Sequence, residues 1–144
     1  MKHLLTLAAV LTVAALHTGA QSPAVTYVDH DKVATALANG GSLVTAANLT
    51  VSGARRTGPG QVEVHETETD VLYVTDGEAT FVTGGTMVGG RGTRPGQFLG
   101  TDIQNGVTQH LTKGDVIVIQ AGTPHWFKEV PKSVNYFVVK VLKN

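Results

Sequence analysis

The sequence predicts an all-β, single-domain fold, a barrel or sandwich of short strands with one short N-terminal helix. Three observations carry that expectation. Runs rich in Val, Ile, Thr and aromatic residues recur at roughly ten-residue spacing, bounded by turn residues. Seventeen glycines in 144 residues favour strands and tight turns over long helices. The length suffices for one domain with a real core and is too short for two.

Met1-Lys2-His3 is a short positive start, and Leu4 to Leu16 is an apolar run broken only by Thr6 and Thr12. His17-Thr18-Gly19-Ala20 then supplies small residues before Gln21-Ser22-Pro23. This is the layout of a secretory signal peptide, with cleavage after Ala20. The run is too short to span a bilayer comfortably, so no stable membrane anchor is expected after cleavage. Residues 1–20 are therefore read as signal peptide. Residues 21–57 are read as N-terminal strands and a short helix packing on the barrel, and 58–144 as the barrel itself. The mature protein is expected in a periplasm or secreted.

Val25 to Val28 reads as a short strand. Asp29 or Asp31 can cap a brief helix over Lys32 to Ala38, stopped by Asn39-Gly40-Gly41. Val33, Ala36 and Leu37 give that helix one thin apolar stripe, suited to lying on a sheet. Ser42 to Ala47 and Leu49 to Arg55 read as strands of mixed polarity, and Arg56-Thr57-Gly58-Pro59-Gly60 as a turn. Gln61 to His65, Val71 to Val74 and Ala79 to Thr83 follow as strands. Between the last two, Thr75-Asp76-Gly77-Glu78 carries a strong two-residue hairpin signal. Met87 to Pro95 is rich in Gly and Arg and has no hydrophobic period, so it reads as a flexible loop. Its Arg91 and Arg94 either solvate the loop or meet an anionic ligand. Gln97 to Ile103 reads as a strand, Asn105-Gly106 as a tight turn, Val107 to Leu111 as a strand and Thr112 to Asp115 as a turn. Val116-Ile117-Val118-Ile119 is wholly apolar, as expected of a strand buried on both faces. Gln120 to Pro124 turns the chain, and Val134 to Leu142 closes it as a long strand.

Glu63 and His65 are two apart, so on a strand they share a face, with Val62 and Val64 on the other. Asp70 opens the next apolar run. A carboxylate, an imidazole and a second carboxylate are thus expected on neighbouring antiparallel strands, and all three are metal-ligand types. The competing reading is an ordinary solvated strand face. Downstream, Gly114 allows a tight turn into a buried strand, while Gly122 and Pro124 shape a rigid loop that presents His125. His110 is expected on the surface and His30 at a helix start. Tyr73, Phe81, Trp126, Phe127, Tyr136 and Phe137 are expected first as core or rim packing, some of them walling a ligand pocket.

Gly114, Gly122 and His125 resemble the second motif of the cupin superfamily: a Gly, five residues, Pro-x-Gly-x-x-His, three residues and an Asn. Gln120 stands in the Pro position and Glu129 in the Asn position. The first motif is His-x-His, four residues, Glu, six residues and Gly. On that spacing Glu63 falls in the first His position, His65 in the second and Asp70 in the Glu position, and Gly77 matches. The resemblance covers roughly Gly58 to Val141. It implies a cupin jelly roll, a double-stranded β-helix barrel in which four side chains converge on one divalent transition metal. The matching positions here are Glu63, His65, Asp70 and His125. Two carboxylates among the ligands favour Mn or Fe, with Zn also compatible. Asp70 is one methylene shorter than Glu, so a three-ligand site with Asp70 in a supporting role stays open. Glu66 or Glu68 could also take the place of Glu63.

The function implied is that of a metal-dependent enzyme acting on a small organic molecule. Fe would favour dioxygenase-type chemistry; Mn or Zn would favour a lyase, isomerase or decarboxylase. A carboxylate not bound to the metal, Glu63 or Asp70, would be the general base. Two other classes stay open. One is a non-catalytic periplasmic module binding a small molecule or carbohydrate. The other is a metal-free barrel serving in dimerisation, since cupins commonly pair through sheet edges and a homodimer is the expected assembly. Lys+Arg and Asp+Glu both number 11, with no basic stripe, which argues against a nucleic-acid partner. The absence of cysteine removes disulfides, thiolate metal sites, a lipid anchor on Cys and a Cys nucleophile. No Gly-rich phosphate motif or Ser nucleophile elbow is present.

Overall fold

A computed structural model describes residues 24–143, so the expected signal peptide over Met1–Ala20 lies outside the described residues. The first element is α1 (His30–Asn39), one turn longer than the apolar stripe alone implied. Asp29 is its N-cap and accepts from the Lys32 backbone N–H at 3.0 Å; the Gly40 N–H closes the last turn onto the Ala36 carbonyl. Ala36 is buried against Gly53, where a Cβ would come within 2.6 Å of the Ala36 backbone, so glycine is what lets the helix lie this close to the sheet. Val25 to Val28 is not a strand: Val25 and Tyr27 are 81% and 83% exposed and no edge takes up their backbone. A β-favouring composition makes a strand only where a partner accepts its hydrogen bonds.

The strands that follow are β1 (Gly41–Thr45), β2 (Leu49–Arg56), β3 (Val62–His65), β4 (Glu68–Thr83), β5 (Thr86–Val88) and β6 (Arg91–Arg94). After them come β7 (Gln97–Gly100), β8 (Asp102–Gln104), β9 (Val107–Thr112), β10 (Val116–Ile119), β11 (His125–Glu129) and β12 (Val134–Leu142). β1, β2, β12, β4, β11, β3, β7 and β6 are hydrogen-bonded in that order, with β9 and β10 also on β4. β4 serves two layers. Its first half lies between β12 and β10, and its second half between β9 and β11. The inward residues of both layers, among them Leu72, Val74, Phe81, Leu111, Phe127, Val134 and Tyr136, form one core. The two-stranded ribbon β5–β8 lies over the opposite face of the second layer. There Val62, Val82 and Ile103 make a smaller cluster with Met87 and Trp126.

Four expectations are corrected. Asp76-Gly77 is not a hairpin: β4 runs through it as one strand of 16 residues. The register against β12 slips at Asn135/Tyr136, and Gly77 adopts φ 77° where a Cβ would collide with the Ser133 carbonyl. Asp-Gly serves a bulge as readily as a turn, and here partners on both sides carry the strand onward. β3 and β4 are consecutive but not neighbours, because β3 pairs with β7 and β11. Val116–Ile119 is not buried on both faces. β10 pairs with β4 alone, and Val116 and Val118 are 61% and 52% exposed while Ile119 is buried. An apolar run of four says nothing about whether its outer face is covered. Finally, Met87–Pro95 holds β5 and β6 rather than a loop, and Gln97–Ile103 is split into β7 and β8. Backbone pairing there requires no hydrophobic period.

Candidate metal centre

The only buried polar or charged residues among the described residues are His65, Asp70, Gln97 and His125, and they meet at one place in the interior. His65 lies on β3, Asp70 on β4, Gln97 on β7 and His125 on β11, and all four side chains are buried. The register then sets pairs directly across the strands. His125 stands opposite Glu63, His65 opposite Gln97 and Lys140 opposite Asp70.

Glu63, His65 and His125 each offer a donor atom, and these atoms lie within 4.8 Å of one another. The two imidazole rings are 5.1 Å apart, centroid to centroid. His65 Nδ1–H donates to the Gln97 side-chain carbonyl, and His125 Nδ1–H donates to the Thr123 carbonyl at 3.1 Å. Both rings therefore keep Nε2 as the unprotonated nitrogen in the neutral form. His65 Nε2 lies 3.5 Å from Glu63 Oε2 and 3.6 Å from Asp70 Oδ2. Glu63 Oε1 accepts from Arg56 Nη2 at 3.1 Å; Arg56 Nε donates to the Tyr136 hydroxyl at 3.1 Å, and the guanidinium lies over the Phe127 ring.

Burial works against ionisation of Glu63, but its hydrogen bond to His65 and the charges of His125, Arg56 and His65 outweigh it and hold the carboxyl at about 2. Burial also disfavours a charged His65, yet the hydrogen bond to Glu63, backed by Asp70 and Gln97, raises it above its ordinary value against the opposing charge of Lys140. For His125 burial prevails, and His65 adds to it, so its ring is pushed toward the neutral form that a metal needs.

Asp70 falls in a second such group, with His65 and Glu68, whose donor atoms also lie within 4.8 Å of one another, but this group is met by a cation. Both Asp70 oxygens accept from Lys140 Nζ, at 2.8 and 2.9 Å. Lys140 also reaches Glu68 Oε2 at 3.1 Å, and that oxygen stands 3.9 Å from His65 Nδ1. A cavity of about 90 Å³ opens onto Arg56, Glu63, Asp70, His125, Tyr136 and Lys140. A second, wider cleft of about 350 Å³ is lined by Glu63 and His65 together with Thr93, Arg94, Gln97, Phe98 and Leu99. Of the remaining candidates, Glu66 is exposed, His110 faces Glu78 at 3.2 Å on the surface and His30 is exposed at the start of α1.

The sequence model of the family described as Cupin matches residues 20–144. The chain belongs to the cupin family. A search of curated protein sequences finds no match. Among solved structures, this cupin is similar to a Klebsiella pneumoniae protein described as an uncharacterized conserved protein with a double-stranded beta-helix domain. That likeness has a TM-score of 0.50 and 17% identity, over 72% of this chain and 70% of that one. A Bacillus halodurans protein is similar with a TM-score of 0.51 and 16% identity, over 72% and 69% of the two chains. FeII HppE is similar with a TM-score of 0.52 and 17% identity over 69% of this chain; the match spans 48% of that chain. At these identities the likenesses speak to the fold, and they agree with the cupin barrel.

Three residues of the site were not anticipated: Lys140, Gln97 and Arg56. Lys140 carried a signal, because it continues the alternation Val134, Tyr136, Val138 whose side chains face the core. A lysine in phase with core positions is either an error of register or a paired charge. Gln97 and Arg56 sit at strand ends, where alternation says little.

Proposed function

We propose that this cupin holds a divalent transition metal on Glu63, His65 and His125 and acts on a small organic molecule at the open side of the ion. One observation carries the reading: both histidines have Nδ1 engaged by a carbonyl, so in the neutral rings, which a metal selects by displacing the proton, both Nε2 lone pairs are left for the space that Glu63 Oε2 also faces. A two-histidine, one-carboxylate set with open positions suits Fe(II), with Mn next and Zn also compatible. The ion, when bound, supplies Lewis-acid polarisation of a substrate oxygen and, if it is iron, redox chemistry.

The chain's own residues supply the rest. Arg56 holds Glu63 in place and ionised, and Gln97 and the Thr123 carbonyl fix the two rings. Asp70, paired with Lys140, borders the small cavity and is the carboxylate left over for proton transfer once Glu63 is a ligand. The reaction class within the dioxygenase, lyase and isomerase types stays a matter of which ion is bound. Export to a periplasm or beyond the cell, proposed from Met1–Ala20, would place the reaction outside the cytoplasm.

A second reading is favoured by one observation. Arg56 and Lys140 already balance Glu63 and Asp70, so the same pocket could bind a small polar molecule without metal. Elemental analysis of the purified protein, with reconstitution by Fe(II), Mn(II) and Zn(II), separates the two. Stoichiometric uptake that vanishes in His125→Ala supports the metal site; no metal as isolated and none taken up would leave the binding module. We further propose a homodimer paired through a sheet edge. Its support is that β1 and β10, like β6 and β9, pair on one side only, and that β10 carries exposed Val116 and Val118 beside exposed Tyr73.

A further inference from the structure

We infer that Lys140 sets the number of protein ligands by holding Asp70 out of the metal's coordination, an inference that rests on Glu63, His65 and His125 being the ligands. Two carboxylates flank the same nitrogen, His65 Nε2, at 3.5 and 3.6 Å. Distance alone does not tell them apart. Their counter-ions do. Arg56 reaches only Oε1 of Glu63, which leaves Oε2 facing the ring. Lys140 takes both oxygens of Asp70 from the position directly across the strand pair.

An ammonium between the carboxylate oxygens competes with a metal ion for the same lone pairs and repels it as a like charge. The Asp70 side chain is only 6% exposed, so the pair is held by the cost of leaving the buried carboxylate without its cation. Glu68, also within reach of the ammonium, anchors it from a second direction. Lys140 is thus a positioning residue. It keeps a fourth potential ligand occupied, and it keeps a coordination position free for substrate.

The test is calorimetric and spectroscopic titration with Co(II), whose visible absorption reports its coordination. His125→Ala should lose binding, which checks the ligand reading independently of Lys140. Asp70→Asn should match the wild type within about threefold, while Glu63→Gln weakens binding by about tenfold or more. Lys140→Met should tighten binding by about tenfold or more and change the Co(II) absorption, as Asp70 joins the ion. Adding Asp70→Asn to Lys140→Met should return the affinity to the wild-type range, and Lys140→Arg should keep it there. Should Lys140→Met not fold, Lys140→Gln replaces it. The inference is overturned if Asp70→Asn weakens binding as much as Glu63→Gln does. It is equally overturned if neutralising Lys140 leaves affinity unchanged, or if the tightening survives loss of Asp70. If the wild type takes up no Co(II) at all, the ligand reading itself has failed.

Discussion

Glu63 and Asp70 make equivalent approaches to His65, and what separates them is which oxygen a cation leaves free. At this scale the ligand proposal makes its sharpest demand: His65→Ala and His125→Ala should each abolish stoichiometric metal uptake, read by elemental analysis. Glu63 also makes an acid-stability prediction for the metal-free protein. Its folded value, about 2, lies below the ordinary 4.5. A depressed carboxyl stabilises the fold above its unfolded value, and the contribution is lost as pH falls through the folded one. The melting temperatures of wild type and Glu63→Gln should therefore converge as pH drops from about 4.5 toward 2. Persistence of the gap across that range would show that Glu63 acts by packing rather than by charge. That Glu63, His65 and His125 come together was legible in the sequence, because motif spacing survives when residue identity changes. Lys140 was not named, because its partner lies 70 residues earlier and only strand register brings the two together.

β4 is the element on which both layers depend, and its midpoint is a glycine with φ 77° pressed against the Ser133 carbonyl. Gly77→Ala should cost about 3 kcal/mol or more, combining backbone strain with a clash, measured as a lowered urea midpoint. Here the motif position was read correctly while its local meaning was not: Asp-Gly marks a bulge in a continuous strand. β10 offers a second check. Ile119→Ala, on the core side, should cost about 2 to 5 kcal/mol. Val118→Ala, on the 52% exposed outer side, should cost less than about 1 kcal/mol. Equal costs would mean that something covers the outer face in solution, as the proposed homodimer would if it used this edge.

For the whole molecule, a ligand bound only by the folded state adds stability by mass action. A metal at about a hundred times its dissociation constant should add about 2.7 kcal/mol, seen as a raised melting temperature that His125→Ala does not show. An unchanged melting temperature at saturating Fe(II), Mn(II) and Zn(II) would favour the metal-free binding module. Light scattering that gives a monomer at micromolar concentration would remove the homodimer.

The β-rich rhythm of strands and turns, the short helix ahead of it and the cupin architecture were determined by the sequence itself, because alternation and capping are local and the two motifs keep their spacing; that Asp76-Gly77 bulges rather than turns, and that β5 to β8 form, were not. The sequence also determined the meeting of Glu63, His65, Asp70 and His125, whose positions the motif spacing marks. Only the tertiary structure decided the fate of Asp70. Its charge must be met inside the barrel, and the cation that meets it comes from β12, a strand whose register against β4 no local pattern records.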